Sequence, residues 1–445
     1  MENKMKKYLV GGAVRDFLLG RECHDKDYVV VGSTPEEMLS LGYKQVGAEF
    51  PVFLHPETGE EYALARKEIS TGDGYQDFKF YFGPDVTLRE DLERRDFTIN
   101  ALAMDLETNE VIDYFNGQTH LKHHLIERVN PEHFIEDPLR VLRGIRFSCQ
   151  LDGFVIGEYT LRLMTDMVQK GMLEHLTPER IWKEIEKALQ TTEFDLFIHY
   201  LDVIGALKII FPEVYSLKQV PEREEYHPEK NAYKHLILTL RQVYNNFDCN
   251  GLLLEKEMDK HEIALVNFGL LCHDLGKNLT QECWPSHHGH ELLGLDLVDE
   301  LCDRLKVPNE YREFGKLACK HHMRFYKFLD MNVKTQYDML KEITNFKNWE
   351  PIKLLYKLHV CDLYGREGIV SEERTKTCLN VLDRIKVIYN IMYGITLKDL
   401  PKETQENLFR FKGEQFGKLY RDAMISYLKH GLKCKNKKEN NIKIS

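Results

Sequence analysis

Two aspartates near the N-terminus have the spacing of a divalent-metal site. Asp25 and Asp27 precede an apolar run that ends at Val31, and we predict that they open a β-strand. Because alternate residues of a strand project to the same side, both carboxylates would leave one face of the sheet. Neighbouring carboxylates repel each other unless a cation lies between them, and magnesium prefers oxygen ligands. The pattern predicts a Mg²⁺ site, although an aspartate pair at a strand entrance is also common in solvated turns.

A third carboxylate could join this pair. Glu61 lies in a predicted strand over 60–66, where it alternates with Ala63 and Ala65. If that strand lies in the same sheet, Glu61 could share the face of the two aspartates. An exposed strand glutamate is an equal alternative.

A glycine-rich turn precedes the aspartates. Gly11 and Gly12 follow a predicted strand end and lead into a predicted helix over 14–19. Such a turn can offer backbone N–H groups to an anion, although a plain turn is the commoner explanation of two glycines. Downstream, Arg94 and Arg95 could bind triphosphate oxygens, although a charged helix face is the commoner explanation of two adjacent arginines. We predict an apolar helix after them. Glycines and aspartates together favour phosphoryl or nucleotidyl transfer.

Charged residues recur at helical spacing in EDPLRVLRGIRF. Asp137, Arg140 and Arg143 are three residues apart, and we predict that they line one edge of a helix. A carboxylate and a guanidinium held together can complement the edge of a nucleobase. An intrahelical salt bridge is the competing interpretation.

Histidines concentrate in the second half of the chain. His235 lies in a predicted helix, and His273 with Asp274 lies inside a second predicted helix, the apolar segment FGLLCHDLGK. The later candidates are His287, His288, His290, His321, His322 and Asp362. One buried histidine is usually a core residue, but an adjacent buried His-Asp pair is costly unless both side chains bind a partner. We therefore predict a metal site that activates water for hydrolysis.

The elements that position these residues change character along the chain. Strands are predicted up to about residue 125, including one over 45–54, and helices beyond Pro131, including 161–211. The 445 residues suffice for two to four domains, and the net charge of −10 argues against a uniformly basic nucleic-acid coat. Ten scattered cysteines and no long apolar segment indicate a soluble cytoplasmic protein. We expect the lysine-rich C-terminus to fray.

Three motifs carry a family resemblance. YLVGGAVRDFLLG with Asp25 and Asp27, RRDFTINA and EDPLRVLR resemble the bacterial class II tRNA nucleotidyltransferases of the polymerase-beta-like superfamily. With the His-Asp region included, the chain is most similar to the multifunctional CCA proteins, in which the transferase is fused to a His-Asp phosphohydrolase domain.

The resemblance implies an α+β fold. A polymerase-beta-like mixed sheet with helices would form a nucleotidyltransferase head over 1–135. An all-α neck and body that selects the nucleotide would follow over 136–220. An all-α His-Asp phosphohydrolase domain would occupy 221–365, before a helical C-terminal region over 366–445.

The resemblance also assigns roles to residues of the transferase. Asp25 and Asp27 would be catalytic magnesium ligands, with Glu61 as a possible third. The nucleotide-binding residues for CTP and ATP would be Gly12, Arg15, Arg95, Asp137, Arg140 and Arg143. Asp137 and Arg140 would act as a protein template that selects C or A. The implied reaction adds the 3′-terminal CCA to tRNA and releases pyrophosphate.

For the second activity, the resemblance implies a phosphohydrolase that acts on 2′,3′-cyclic phosphodiesters, 2′-nucleotides and phosphomonoesters. The implied metal ligands are His235, His273, Asp274, His322 and Asp362, of which His273 and Asp274 would be catalytic. A transition metal such as Ni²⁺ suits this ligand set better than magnesium. The expected partners are the tRNA 3′ end, CTP and ATP, with no membrane, in a monomer or homodimer.

Three alternatives remain open from sequence. A poly(A) polymerase would share the head motifs and differ in base choice. A catalytically retired RNA-binding or nucleotide-sensing protein would keep the sites as ligand pockets, although the presence of all four catalytic candidates disfavours it. Finally, the phosphohydrolase could be the principal activity.

Overall fold

The computed structural model describes residues 5–23, 25–46, 52–70, 78–245, 258–284, 286–366 and 372–442. The chain forms two compact units. Unit 1 comprises Met1–Ile185 and Tyr200–Ile209, and unit 2 comprises Glu186–His199 and Ile210–Ser445. The four-part division made from sequence stays a prediction. None of the described helices combines the length and apolar composition that a membrane span requires.

The strands occupy the first part of the chain. They are β1 (Lys6–Val10), β2 (Asp27–Val31), β3 (Lys44–Val46), β4 (Val52–Leu54), β5 (Glu61–Leu64), β6 (Lys67–Ser70), β7 (Phe78–Tyr81), β8 (Leu102–Asp105), β9 (Val111–Asp113), β10 (Leu125–Ile126) and β11 (Val155–Ile156).

Helices alternate with these strands and continue as far as Ile442. Those that begin before residue 210 are α1 (Gly12–Leu18), α2 (Pro35–Ser40), α3 (Leu88–Glu93), α4 (Gly117–Lys122), α5 (Pro131–Glu136), α6 (Leu139–Gln150), α7 (Glu158–Gln169), α8 (Pro178–Leu189), α9 (Phe194–Val203) and α10 (Leu207–Ile210). Those that follow are α11 (Pro212–Ser216), α12 (Ala232–Asn245), α13 (Lys260–Cys272), α14 (His290–Leu305), α15 (Asn309–Tyr326), α16 (Val333–Thr344), α17 (Glu350–Tyr364), α18 (Glu372–Met392), α19 (Lys402–Leu408) and α20 (Gly413–Ile442).

A mixed seven-stranded sheet organises unit 1. Its order is β3-β4-β5-β2-β1-β8-β9, in which β2 pairs with β5 in parallel and with β1 antiparallel. Both faces are covered, because Val29 of β2 joins one apolar cluster while Val30 joins another. Alternation along β2 therefore places Asp27 on the face of Val29, at the end where β2 begins. The predicted α+β fold class is confirmed at the level of this mixed architecture.

Two predicted elements of unit 1, one strand and one helix, differ from the structure. The predicted single strand over 45–54 is two strands, β3 and β4, which pair antiparallel; residues 47–51 lie outside the described ranges. The apolar helix predicted after Arg95 is a 3₁₀ turn over Thr98–Asn100 followed by β8. All four residues of β8 are buried between β1 and β9, and hydrogen bonding within the sheet outweighs their helical propensity.

The remaining sequence predictions about helices and strands agree with the structure only in part. Thr34 caps α2 and accepts a hydrogen bond from the backbone N–H of Glu37 (3.3 Å). The prediction that strands end near residue 125 is wrong, because β11, a two-residue strand beyond Pro131, pairs in parallel with β10. The C-terminal tail, predicted to fray, is helical to Ile442 within α20.

Unit 2 is helical in its described residues. Helix α13 begins with a capping box, in which Asp259 accepts a hydrogen bond from the N–H of Glu262 (2.9 Å) and Glu262 accepts one from Asp259 N–H (3.2 Å). All its residues from Ala264 to Cys272 are buried. It packs against α12, α15 and α17, so polar side chains at its C-terminal end face the interior.

Candidate functional sites of the two units

The predicted magnesium ligands lie at one end of the sheet of unit 1. Parallel pairing of β2 and β5 sets Asp27 directly opposite Glu61, and both residues are exposed. Directly opposite residues share a face of the sheet, so the uncertainty about which face Glu61 occupies is resolved. Asp25 is exposed too, but it precedes β2. The prediction that strand alternation directs its side chain is therefore wrong.

The three carboxylates are not gathered tightly. Among the residues that the structure describes, Asp25, Asp27 and Glu61 do not belong to any group of three potential metal ligands within 4.8 Å of one another. Their oxygen donors nevertheless suit magnesium, which retains several waters and needs few protein carboxylates.

The glycine that the local backbone requires is Gly11. Its φ is +71°, in the left-handed region, and a Cβ there would lie 2.8 Å from Nη1 of Arg95. Gly12, the glycine selected from sequence, begins α1 with ordinary space for a Cβ, whose nearest neighbour would be Nη2 of Arg15 at 3.5 Å. The close approach of Arg95 to the turn brings two predicted nucleotide-binding elements together.

This contrast predicts different outcomes for two adjacent substitutions. Gly11→Ala should destabilise the protein by about 1–2 kcal/mol, the cost of a left-handed conformation for an L-residue, and should also displace Arg95. Gly12→Ala should leave the free energy of unfolding unchanged or slightly raised. Denaturant unfolding of both variants checks this, and equal stabilities would contradict the assignment.

Arg15 and Arg143 are joined by a buried hydrogen-bonded chain. Arg15 Nη1 donates to Asn100 Oδ1 (2.8 Å), and Asn100 Nδ2 donates to Asp96 Oδ1 (3.2 Å). Arg143 Nε donates to Asp96 Oδ2 (2.8 Å). Burial alone would raise the pKa of Asp96, but Arg143 and the hydrogen bonds lower it below its ordinary value. Asp96 and Asn100, which sequence reasoning did not select, thus fix two predicted nucleotide-binding arginines.

Asp137 is outside the helix to which we assigned it. It lies between α5 and α6 with φ −123° and ψ 100°, and its Oδ1 accepts a hydrogen bond from Leu139 N–H (3.1 Å). Pro138 accounts for the error, because a residue before proline is disfavoured in helical conformation. Helical spacing therefore relates only Arg140 and Arg143.

Asp137 and Arg140 have separate partners. Nη2 of Arg180, a residue not selected from sequence, contacts both carboxylate oxygens of Asp137 at 2.9 and 3.0 Å. Arg140 donates to the main-chain carbonyls of Arg94 (2.8 Å) and His133. The side chain of Asp137 is 35% exposed, so its carboxylate remains accessible to a ligand.

In unit 2, three predicted metal ligands converge. His235, from α12, lies with Nε2 3.0 Å from Oδ1 of Asp362, from α17. His273 follows the last residue of α13, and ligand atoms of all three side chains lie within 4.8 Å of one another. Each of the three residues is almost fully buried.

A second group lies beside the first. Asp274 Oδ1 is 3.3 Å from Nε2 of both His290 and His322. His273 Nε2 is 3.2 Å from Asp274 Oδ2, so the adjacent pair connects the two groups. His290 was one of several histidines noted in SHHGHE, but spacing alone did not select it as a ligand. The prediction that His273 and Asp274 lie within the apolar helix is wrong, since α13 ends at Cys272.

Main-chain hydrogen bonds set the tautomers of three of these histidines. The Nδ1 atoms of His273, His290 and His322 lie 2.6, 2.8 and 2.9 Å from the carbonyl oxygens of Leu270, His287 and Cys319. A carbonyl can only accept, so each Nδ1 donates its proton and each neutral ring presents an Nε2 lone pair to the cluster. Two such lone pairs face each other, because His290 Nε2 and His322 Nε2 are 3.2 Å apart.

This arrangement fits a metal ion. His273 Nε2, Asp274 Oδ1 and Asp362 Oδ2 are buried and have no hydrogen-bond partner among the described residues, whereas buried polar atoms are normally paired. Nδ1–H donated to a carbonyl is the usual support of a metal-binding histidine. Mixed imidazole and carboxylate donors suit a transition metal.

Charges around the cluster keep the Asp274 carboxylate ionised, and Asp274 in turn raises the pKa of His273. Burial opposes ionisation of Asp274, but His273 in its protonated form and Lys277 hold the pKa of Asp274 well below the ordinary value. Lys277 Nζ lies 2.8 Å from Asp274 Oδ2 and 2.5 Å from Glu222 Oε1. Burial lowers the pKa of His322, which keeps its ring neutral and able to bind a metal.

Two protein-family models match parts of this chain. Residues 7–127 match the family model described as the poly A polymerase head domain, and residues 153–217 match a model described as a probable RNA and SrmB-binding site of polymerase A. Both matched ranges precede residue 218, so neither includes the histidine-aspartate cluster. Solved structures resemble almost the whole chain.

The chain has the fold of the CCA-adding enzymes. One apo CCA-adding enzyme structure aligns with a TM-score of 0.60 and 23% identity, over 96% of this chain and 87% of that one. A CCA-adding enzyme with ATP gives 0.60 and 22%, over 95% and 86%. The Thermotoga maritima CCA-adding enzyme in complex with tRNA gives 0.59 and 21%, over 97% and 91%.

Proposed function

We propose that this chain is a tRNA nucleotidyltransferase that adds and repairs the 3′-terminal CCA from CTP and ATP. The observation that carries the proposal is the pairing of Asp27 with Glu61 on one face of a polymerase-type sheet. The fold shared with CCA-adding enzymes and the match of the head domain support it. The likeness to poly(A) polymerases covers residues 7–127 and 153–217, whereas the likeness to CCA-adding enzymes covers almost the whole chain.

The metal-binding residues of this site would be Asp25 and Asp27, with Glu61 as a third candidate. Mg²⁺ bound there would supply positive charge to the triphosphate and lower the pKa of the attacking 3′-hydroxyl. The chain's own arginines have a complementary task. Arg95 lies beside Gly11, and Asp96 holds Arg143 in place. Both arginines would be preorganised donors to triphosphate oxygens, so little reorganisation would be needed during the transfer.

The direct test offers the full-length protein a tRNA that lacks its CCA end, with Mg²⁺, labelled CTP and ATP. We expect two C residues and one A to be added. Addition of A alone, repeated without C, would instead identify a poly(A) polymerase. Absence of any addition would reject the transferase and favour a nucleotide- or RNA-binding role.

Base selection should depend on Asp137. Its carboxylate, oriented by Arg180, could hydrogen-bond to the edge of the incoming base, an interaction worth about 1–3 kcal/mol of discrimination. Asp137→Ala should therefore lower the preference for CTP over UTP by roughly tenfold or more, with a smaller effect on triphosphate affinity. Single-nucleotide addition kinetics with each triphosphate measure both quantities.

A control carboxylate is available in the same unit. Asp166 is exposed on α7, and Asp166→Ala should leave base preference unchanged. If Asp137→Ala also leaves the discrimination between CTP and UTP unchanged, Asp137 does not read the base.

We further propose a metal-dependent phosphohydrolase activity in unit 2, directed at 2′,3′-cyclic phosphodiesters and 2′-nucleotides. The observation that supports it is the convergence of imidazole lone pairs and buried carboxylates. His235, His273, Asp274 and Asp362 would hold one metal, and Asp274 with His290 and His322 could hold another. A bound transition metal would supply an activated water at neutral pH. Hydrolysis of 2′,3′-cyclic AMP by the nickel-loaded protein, lost on chelation, is the expected result.

A further inference from the structure

A cavity of about 570 Å³ opens beside the histidine-aspartate cluster of unit 2. Asp274, His290, His322 and Asp362 form part of its lining, so the proposed metal ligands face its interior. Phe325, Leu363 and Val381 give it apolar walls. Its size is in the range of small-molecule sites, which commonly enclose about 300–1,000 Å³.

Arg366 is a buried cation of this cavity whose donors are largely unoccupied. Its side chain is only 11% exposed, and its nearest recorded acceptor is Asp362 Oδ1 at 3.4 Å, a long contact. Its Nε is buried and has no hydrogen-bond partner among the described residues. Lys277 differs, because Asp274 and Glu222 already neutralise it at 2.8 and 2.5 Å.

The orientation of Arg366 is fixed by an aromatic ring. Its Cζ lies 4.6 Å from the ring centroid of Tyr326, which also lines the cavity. This cation–π contact holds the guanidinium without consuming its N–H donors. A planar, oriented and underused guanidinium next to a metal-type cluster is suited to bidentate binding of a phosphate group.

We propose that Arg366 is the phosphate-binding residue of this cavity and that the ligand is a phosphate ester no larger than a single nucleotide. The proposal rests on the phosphohydrolase function inferred above and assigns its phosphate-recognition residue. The phosphate would lie between Arg366 and the cluster that contains Asp362. The apolar walls would contact the ribose and base.

Binding of inorganic phosphate to the nickel-loaded, full-length protein tests the proposal without requiring turnover. Calorimetry should show phosphate affinity at least about tenfold weaker for Arg366→Met than for wild type, since hydrogen bonds to charged groups are individually strong. Nickel content, measured by elemental analysis, should stay the same. Arg366→Lys, which keeps the charge but loses the fork, should bind phosphate with intermediate affinity.

A matched control is Arg421→Met. Arg421 also pairs with an aspartate, Asp338, in unit 2, but it does not line the cavity, so phosphate affinity should not change. Phosphate affinities of Arg366→Met and Arg366→Lys within twofold of wild type would overturn the proposal, as would an equal loss in Arg421→Met. If Arg366→Met loses nickel, the comparison of Arg366→Lys with wild type decides.

The two proposals fail in distinguishable ways. A nickel-loaded wild type that binds phosphate through Arg366 but does not hydrolyse 2′,3′-cyclic AMP would reject the phosphohydrolase function alone. A wild type that hydrolyses the substrate with undiminished phosphate affinity in both Arg366 variants would reject the role of Arg366 alone.

Discussion

Asp27→Ala should reduce the rate of CCA addition by at least about 10³-fold, because loss of a magnesium ligand removes several kcal/mol of charge stabilisation. Hydrolysis of 2′,3′-cyclic AMP should continue at the wild-type rate, since the cluster that we assign to it is built from other residues. Primer-extension assays with tRNA lacking CCA and a parallel hydrolysis assay measure both activities. If Asp27→Ala still adds CCA at the wild-type rate, Asp27 is not a catalytic residue.

Two neighbouring glutamates provide a matched comparison for the same experiment. Glu61 lies opposite Asp27, whereas Glu60 accepts a hydrogen bond from Tyr28 OH (3.2 Å). If Glu61 binds the metal, Glu61→Gln should raise the magnesium concentration needed for half-maximal addition, and Glu60→Gln should not. Identical magnesium dependence of Glu61→Gln and wild type would show that two aspartates suffice.

His322→Gln should abolish hydrolysis of 2′,3′-cyclic AMP and weaken retention of the second metal of the cluster by at least about 10²-fold, a loss already reached by some supporting residues of metal sites. His273→Ala should also abolish hydrolysis and should weaken metal retention further, since His273 would bind the other metal and also contacts Asp274. CCA addition should persist in both variants. Metal analysis after dialysis, with both assays, measures these outcomes.

The adjacent residue supplies the control. His321 is buried like His322, but its Nε2 is 3.6 Å from Glu342 and it is not among the grouped metal-type ligands of the described residues. His321→Gln should retain metal and hydrolysis. Equal metal loss in the two glutamine variants would indicate general destabilisation of α15 and would contradict a specific ligand role for His322.

Local sequence signals predicted the elements whose determinants are local. The apolar run after Asp27 was sufficient to place β2. The segment from Leu102 to Asp105 was misassigned, because its conformation depends on pairing with β1 and β9. Helical spacing also failed at Asp137, where the proline that follows changes the backbone.

The predicted site residues were identified more readily than the residues that hold them. Motif resemblance selected Arg15 and Asp137, but their partners Asn100 and Arg180 lie 85 and 43 residues away along the chain. Such pairings arise from the tertiary fold and have no fixed spacing. His290 was missed for a related reason, since only its geometry distinguishes it from the neighbouring histidines.

The histidine-aspartate cluster draws its side chains from α12, α14, α15 and α17 and from the residues that follow α13. A metal held there would bind the folded form of unit 2 and scarcely the unfolded chain, in which these residues are scattered over more than a hundred positions. Ligand binding of this kind stabilises the folded state by about 2.7 kcal/mol when the free metal is at 100 times its dissociation constant. The thermal stability of unit 2 would thus rise with the concentration of its metal, so the site would stabilise the helical fold as well as serve the proposed hydrolysis.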